Sequence, residues 1–89
     1  MDLTDAVAVV TGASKGLGAR IARTLAHQGA TVYGLARSTD ALQALHDDLG
    51  AAFVPVSCDV RKENAVESAF KTVDDEAGRL DVLVNNAGL

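Results

Sequence analysis

The sequence predicts an α/β domain, a doubly wound parallel sheet of four strands in the order 3-2-1-4 with three helices. Three observations predict it: short apolar runs alternate with helical stripes along the chain, the connections between them are short, and a glycine-rich turn, "TGASKGLG", follows the first run. Strands alternating with helices in this way take right-handed crossovers, which make the sheet parallel. In the order 3-2-1-4 the winding reverses beside the first strand, and ligands bind outside the carboxyl ends of the strands at that switch point. The glycine turn is expected there.

Ala6 to Val10 is a continuous apolar run ending in the turn, the pattern of a strand covered on both faces. From Leu17 the period changes: Leu17, Ile21 and Leu25 recur every four residues with alanines between them, until Gly29 stops the helix. "TVYGLA", Thr31 to Ala36, is the second strand; Ser38 or Thr39 caps a helix carrying Leu42, Leu45 and Leu49, which Gly50 ends. "AAFVPVSCDV" is the third strand, and Pro55, lacking an amide donor, places it at a sheet edge. Val66, Phe70, Val73 and Ala77 stripe a third helix from about Lys62 to Gly78, and "DVLVN", Asp81 to Asn85, is the fourth strand. No linker, repeat or low-complexity stretch divides the chain, so it forms one unit.

Eighty-nine residues allow one small domain of marginal stability. With 48% hydrophobic residues and only 3% aromatic ones, its core is aliphatic, joined by Tyr33, Phe53 and Phe70. Twelve acidic against eight basic residues give a formal charge of -4, which repels nucleic-acid phosphates and anionic lipids, so neither partner is expected. The apolar run is far shorter than a membrane span and "MDLTD" lacks the basic region of a secretory signal, so a cytoplasmic location is expected. Cys58 is the single cysteine: it forms no internal disulfide, belongs to no metal-ligand spacing, and reads as a small buried hydrophobe. His27 and His46 fall on helices away from the strand carboxyl ends and read as surface or helix-end residues, not catalysts.

Gly12, Gly16 and Gly18 form a G-x-x-x-G-x-G pattern. It is neither the G-x-G-x-x-G of the common dinucleotide fingerprint nor a P-loop, because Lys15 precedes its glycine and no Gly-Lys-Ser/Thr follows. Glycines here allow positive φ angles and close approach of a ligand to the backbone. The helix behind them points open amides and its dipole at the same space, which favours an anion such as a pyrophosphate. A tight strand-to-helix turn also needs glycines for itself, but the βαβ setting favours a ligand.

"TGASKGLG", then "CDV", then a fourth strand ending in "NNAG" occur in that order, and over its whole length the chain resembles the amino-terminal part of a short-chain dehydrogenase/reductase. Within that family it is similar to the 3-oxoacyl-carrier-protein reductase type. The resemblance implies an incomplete Rossmann-like fold in which residues 1–89 are the amino-terminal part of a dinucleotide-binding domain. It implies that Gly12, Ser14, Lys15, Gly16, Leu17 and Gly18 hold the cofactor along the turn, that Asp59 and Val60 border its adenine, and that Asn86, Ala87 and Gly88 lie beside its ribose. Asp59 also suits a cap or turn before a helix, and Asn85 and Asn86 suit loop capping, Asn85 tying the sheet together. The family's catalytic tyrosine, lysine, serine and asparagine have no counterpart here, so no residue of this chain is catalytic; Tyr33 lies within the second strand and reads as core. The complete protein is then a homo-oligomeric oxidoreductase of small carbonyl or alcohol substrates. A non-catalytic nucleotide-binding or interaction module is the other class, and downstream sequence decides between them.

The end of the second strand, "GLARST", is where such folds discriminate between cofactors. Ala36 stands where relatives preferring NAD keep an acid, and Arg37 follows it, suited to a bidentate pair with a 2'-phosphate. Lys15 reaches the same phosphate from the turn, and Ser14 and Ser38 add hydroxyl donors. The resemblance therefore implies NADP(H) in preference to NAD(H).

Overall fold

Every residue of Val7–Thr11 is buried, as a strand covered on both faces and paired on both edges must be. This strand, β1, pairs in parallel with β2 (Thr31–Ala36) on one side and with β4 (Val82–Asn85) on the other; β3 (Phe53–Ser57) pairs in parallel with β2. The resulting order, β3-β2-β1-β4, is the expected one. The structure is a computed structural model that describes residues 2–86. Helices α1 (Gly16–His27), α2 (Thr39–Leu49) and α3 (Glu63–Ala77) complete the alternation.

Strand alternation sorts the core into two layers. Ala8, Val10, Val32 and Phe53 face one side with Ala22 of α1 and with Leu42 and Leu45 of α2. Val7, Val9, Tyr33 and Leu35 face the other with Ala69 and Val73 of α3. Two crossovers of the same hand running in opposite directions across a sheet put their helices on opposite faces, which is why α3 is alone on its side. The winding reverses beside β1, so its carboxyl end, where the glycine turn begins, opens at the switch point.

Two local expectations need correction, and one left open is resolved. Gly50–Ala52 form a single 3-10 turn, so β3 starts only at Phe53. On α1 the buried residues are Gly18 and Ala22, while Leu17 is 57% exposed. The helix seats its small side chains on the sheet, and Leu17, Ile21 and Leu25 line a shallow flank groove with Arg20 and Thr24. Of the two candidate caps for α2, Ser38 is the one used: its Oγ accepts from the Ala41 amide at 3.4 Å.

Pro55 sits in the edge strand β3 as required. His27 is exposed in the last turn of α1, and His46, in the last turn of α2, donates from Nδ1 to the Phe53 carbonyl at 2.8 Å. Both lie away from the strand carboxyl ends. Tyr33 is 4% exposed and its hydroxyl donates to Glu76 Oε1 at 3.1 Å. Burial first, then that hydrogen bond and the charge of Glu76, push its pKa up, so it stays a neutral core residue. Among the described residues no helix is long and apolar enough to cross a membrane, and no group of three or more His, Cys, Asp or Glu side chains could hold a metal ion.

Candidate functional site

The turn after β1 is built by backbone conformation and braced from the ends of β2 and β4. Gly12 and Gly16 take φ angles of 65° and 59°, in the left-handed region that favours glycine. The Ala13 amide donates to the Leu35 carbonyl at 3.2 Å, tying the turn to the end of β2. Just past β4, the Asn86 amide donates to Thr11 Oγ1 at 3.0 Å, and Asn86 Nδ2 donates to the Gly12 carbonyl at 3.3 Å. The Thr11 hydroxyl lies 3.1 Å from Asn85 Oδ1. Asn85 and Asn86 therefore do the sheet-tying and loop-bracing that their residue type suits.

Behind the turn, α1 opens with its amides uncapped. Its N-cap, Lys15, makes no side-chain cap hydrogen bond, and no acid stands in the first turn. By contrast α2 has the Ser38 cap and Asp40, and α3 has Glu63 in its first turn. A Cβ built on Gly16 would meet nothing within 4 Å, so the space in front of these amides is open.

That space leads into a cleft of about 560 Å³ lined by Gly12, Ser14, Lys15, Ala36, Arg37 and Val60, among others. The buried Leu35 and Cys58 and the polar Asp59 and Arg61 complete its lining. Of the expected site residues, the structure thus gathers Gly12, Ser14, Lys15, Arg37, Asp59 and Val60 around one opening. Val60, 36% exposed, presents an aliphatic surface to it. Ser38 lies outside the lining and caps α2; the side chain of Leu17 faces the flank groove; Gly18 is buried where α1 meets the turn. Ala87 and Gly88 lie outside the described residues.

Charge is placed unevenly in this cleft. Among the described residues no ion pair takes up Lys15 or Arg37, and Ala36 leaves no carboxylate at the end of β2. Asp59 is engaged by Arg61, Nη2 to Oδ2 at 3.0 Å. The Arg61 side-chain and backbone hydrogen bonds, with the charge of Arg37 as a smaller contribution, hold the Asp59 carboxyl well below the usual carboxylate range. It is an ionised acceptor at neutral pH. Its bond from the Arg61 amide also makes the turn that residue type suits, so Asp59 serves the loop as well as facing the cleft. Cys58, 4% exposed, has its thiol pushed up by burial and then by the Asp59 charge, the setting of a buried structural cysteine. Arg61 was not legible as a site residue: "DVRKEN" reads as a polar helix start, and only the fork onto Asp59 reveals it.

The model of the family described as short chain dehydrogenase matches residues 6–89. The chain belongs to that family. It is 42% identical over 89 residues to the 3-oxoacyl-acyl-carrier-protein reductase FabG of Vibrio harveyi, covering all of this chain and 36% of that protein. It is 42% identical over 83 residues to a probable NADP-dependent dehydrogenase of Dichelobacter nodosus, covering 93% of this chain and 78% of that one. The fold superposes with a TM-score of 0.90 on the crystal structure of a short chain dehydrogenase from Bacillus anthracis, 28% identical, over 96% of this chain and 35% of that one. The chain thus spans about a third of the length of the reductase and of the solved dehydrogenase.

Proposed function

We propose that residues 1–89 form the cofactor-binding part of a short-chain oxidoreductase and that the cleft takes a nicotinamide dinucleotide, NADP(H) in preference to NAD(H). The observation that carries this reading is the pairing of open α1 amides with two cations, Lys15 and Arg37, on a cleft whose β2 end has no acid. The residues fit the group: the space in front of Gly16 admits a pyrophosphate, and a 2'-phosphate finds a planar guanidinium at Arg37 and an ammonium at Lys15. Ser14 adds a hydroxyl donor, Asp59 an acceptor for the base, and Val60 an apolar surface for its ring. When bound, the dinucleotide supplies or accepts hydride. The residues of this chain bind and orient it; carbonyl reduction or alcohol oxidation draws its proton-transfer groups from elsewhere in the protein. The kinship with a reductase and with a probable NADP-dependent dehydrogenase supports this reading.

The test is calorimetric titration of the full-length protein with NADPH and NADH. Two charge-assisted contacts of roughly 1.5–3 kcal/mol each favour NADPH by about two to four orders of magnitude. Arg37→Asp narrows the gap from both sides, removing a phosphate contact and offering an acceptor to a ribose hydroxyl. Equal affinities for the two dinucleotides overturn the preference, and uptake of neither overturns the site.

A further inference from the structure

The pair between Asp59 and Arg61 is more ordered than a surface contact needs to be. Asp59 Oδ1 accepts from both the Arg61 amide and Arg61 Nε, each at 3.0 Å, and Oδ2 accepts from Nη2 at 3.0 Å. One residue thereby fixes the rotamer and the plane of the carboxylate. The Arg61 side chain is 71% exposed and that of Asp59 17%, and so open a pair adds little to stability. Its effect is on direction: a carboxylate offers about four lone-pair sites, and with three of them engaged the remaining one is on Oδ2. Both residues line the cleft.

We propose that Arg61 is a positioning residue for base recognition: by engaging both oxygens of Asp59 it leaves one aimed acceptor, so the base entering the cleft must present a hydrogen-bond donor. This rests on the dinucleotide reading of the cleft. Adenine offers its 6-amino group, whereas hypoxanthine carries an oxygen there, which an ionised carboxylate repels. The same pairing neutralises Arg61, leaving Lys15 and Arg37 as the cations for phosphate. Arg61 cannot join them without releasing Asp59.

Full-length protein is titrated with NADPH, with NADH and with the analogue of NADPH that has hypoxanthine in place of adenine. The parent prefers NADPH to the analogue, and Arg61→Ala reduces that preference about tenfold while weakening NADPH and NADH by equal factors. Arg61→Lys, a single point donor in place of a fork, restores part of it. Asp59→Asn abolishes the preference and makes Arg61→Ala silent in the double variant, the mark of one residue acting through the other. An unchanged preference in Arg61→Ala overturns the proposal. So does a loss confined to NADPH, which makes Arg61 a phosphate ligand. Should Arg61→Ala fail to melt cooperatively, Arg61→Gln takes its place with the same expectations. A parent that binds no dinucleotide removes both the cleft reading and this proposal, whereas normal NADPH binding with an Arg61-independent base preference removes this one alone.

Discussion

A methyl group on Gly18 would fall inside contact distance of the Gly12 carbonyl oxygen and 2.7 Å from Asn86 Nδ2, while one on Gly16 would meet nothing within 4 Å. The two glycines are in the turn for different reasons. Gly18 lets the first turn of α1 seat against the end of β1, and the obstructing atom is backbone, which cannot swing aside. Gly16 supplies a left-handed residue and leaves the space before the helix amides open. Gly18→Ala is therefore expected to cost stability at the upper end of about 1–3 kcal/mol, the range of overpacking. Gly16→Ala incurs only the left-handed penalty of roughly 1–2 kcal/mol, but sets its methyl where the phosphates are proposed to lie. Thermal melts paired with NADPH titrations separate the two: Gly16→Ala raises Kd by at least about tenfold with a modest fall in Tm, and Gly18→Ala shows the larger fall in Tm. Parent-like NADPH affinity in Gly16→Ala would mean that the phosphates lie elsewhere.

Between elements, β4 is fastened to β1 at both ends. At the carboxyl end Asn86 holds Thr11 and Gly12; at the amino end the Asp81 amide donates to the Val7 carbonyl at 2.8 Å, and Asp81 Oδ2 accepts from the Val7 amide at 2.8 Å. Arg79 holds the same carboxylate through Nε and Nη2 at 2.9 and 2.8 Å. Its hydrogen bonds first, then the Val7 amide, lower the Asp81 pKa below the usual 3.8. A carboxyl whose folded pKa is depressed contributes stability that is present above the unfolded value and lost as pH falls through the folded one. Asp81→Asn is accordingly expected to lower stability at neutral pH and to flatten the loss of stability below pH 3.8, read from urea melts of the full-length protein across that range. Curves that stay parallel down to acid pH would show that the Asp81 charge does not fasten the strand. The strands and the helix spans were legible because burial on both faces of β1 and β2 leaves unbroken apolar runs and the helices keep their stripes. The face of α1 was not: periodicity follows the largest side chains, Leu17, Ile21 and Leu25, whereas close helix-to-sheet packing selects the smallest, Gly18 and Ala22. Gly34 is a similar case. In sequence it only weakens a strand, but any Cβ there would overlap the Phe53 ring, so its absence makes the socket that β3 fills. In the site, the approach of Lys15 and Arg37 to one cleft was legible from their places beside the glycine turn and the end of β2; Arg61 was not, because its partner lies two residues away in a loop that carries no period.

For the molecule as a whole, the two edges of the sheet differ. The β3 edge contains Pro55, which withholds an amide from any incoming strand. The β4 edge, "VLVN", has neither proline nor charge, and among the described residues it pairs only with β1. Leu83 in that strand, in register with Val9 of the α3-covered face, is 53% exposed, and Leu80, two residues before the strand, is 42% exposed. An overall charge of -4 is small resistance to strand addition at close range in physiological salt, where fields fade beyond roughly 8 Å. A polypeptide of residues 1–89 is therefore expected to self-associate through β4 at tens of micromolar, with a broad thermal transition. Leu83→Lys places a charge on the open edge without emptying a core position, so sedimentation velocity should show association suppressed while the circular-dichroism signal of the folded state is kept. Leu17→Lys, on the flank groove of α1, serves as the contrast and should leave association in place. If instead the parent polypeptide sediments as a monomer with a sharp melt, the β4 edge is inert; if Leu17→Lys and not Leu83→Lys disperses it, the reactive surface is the helical flank.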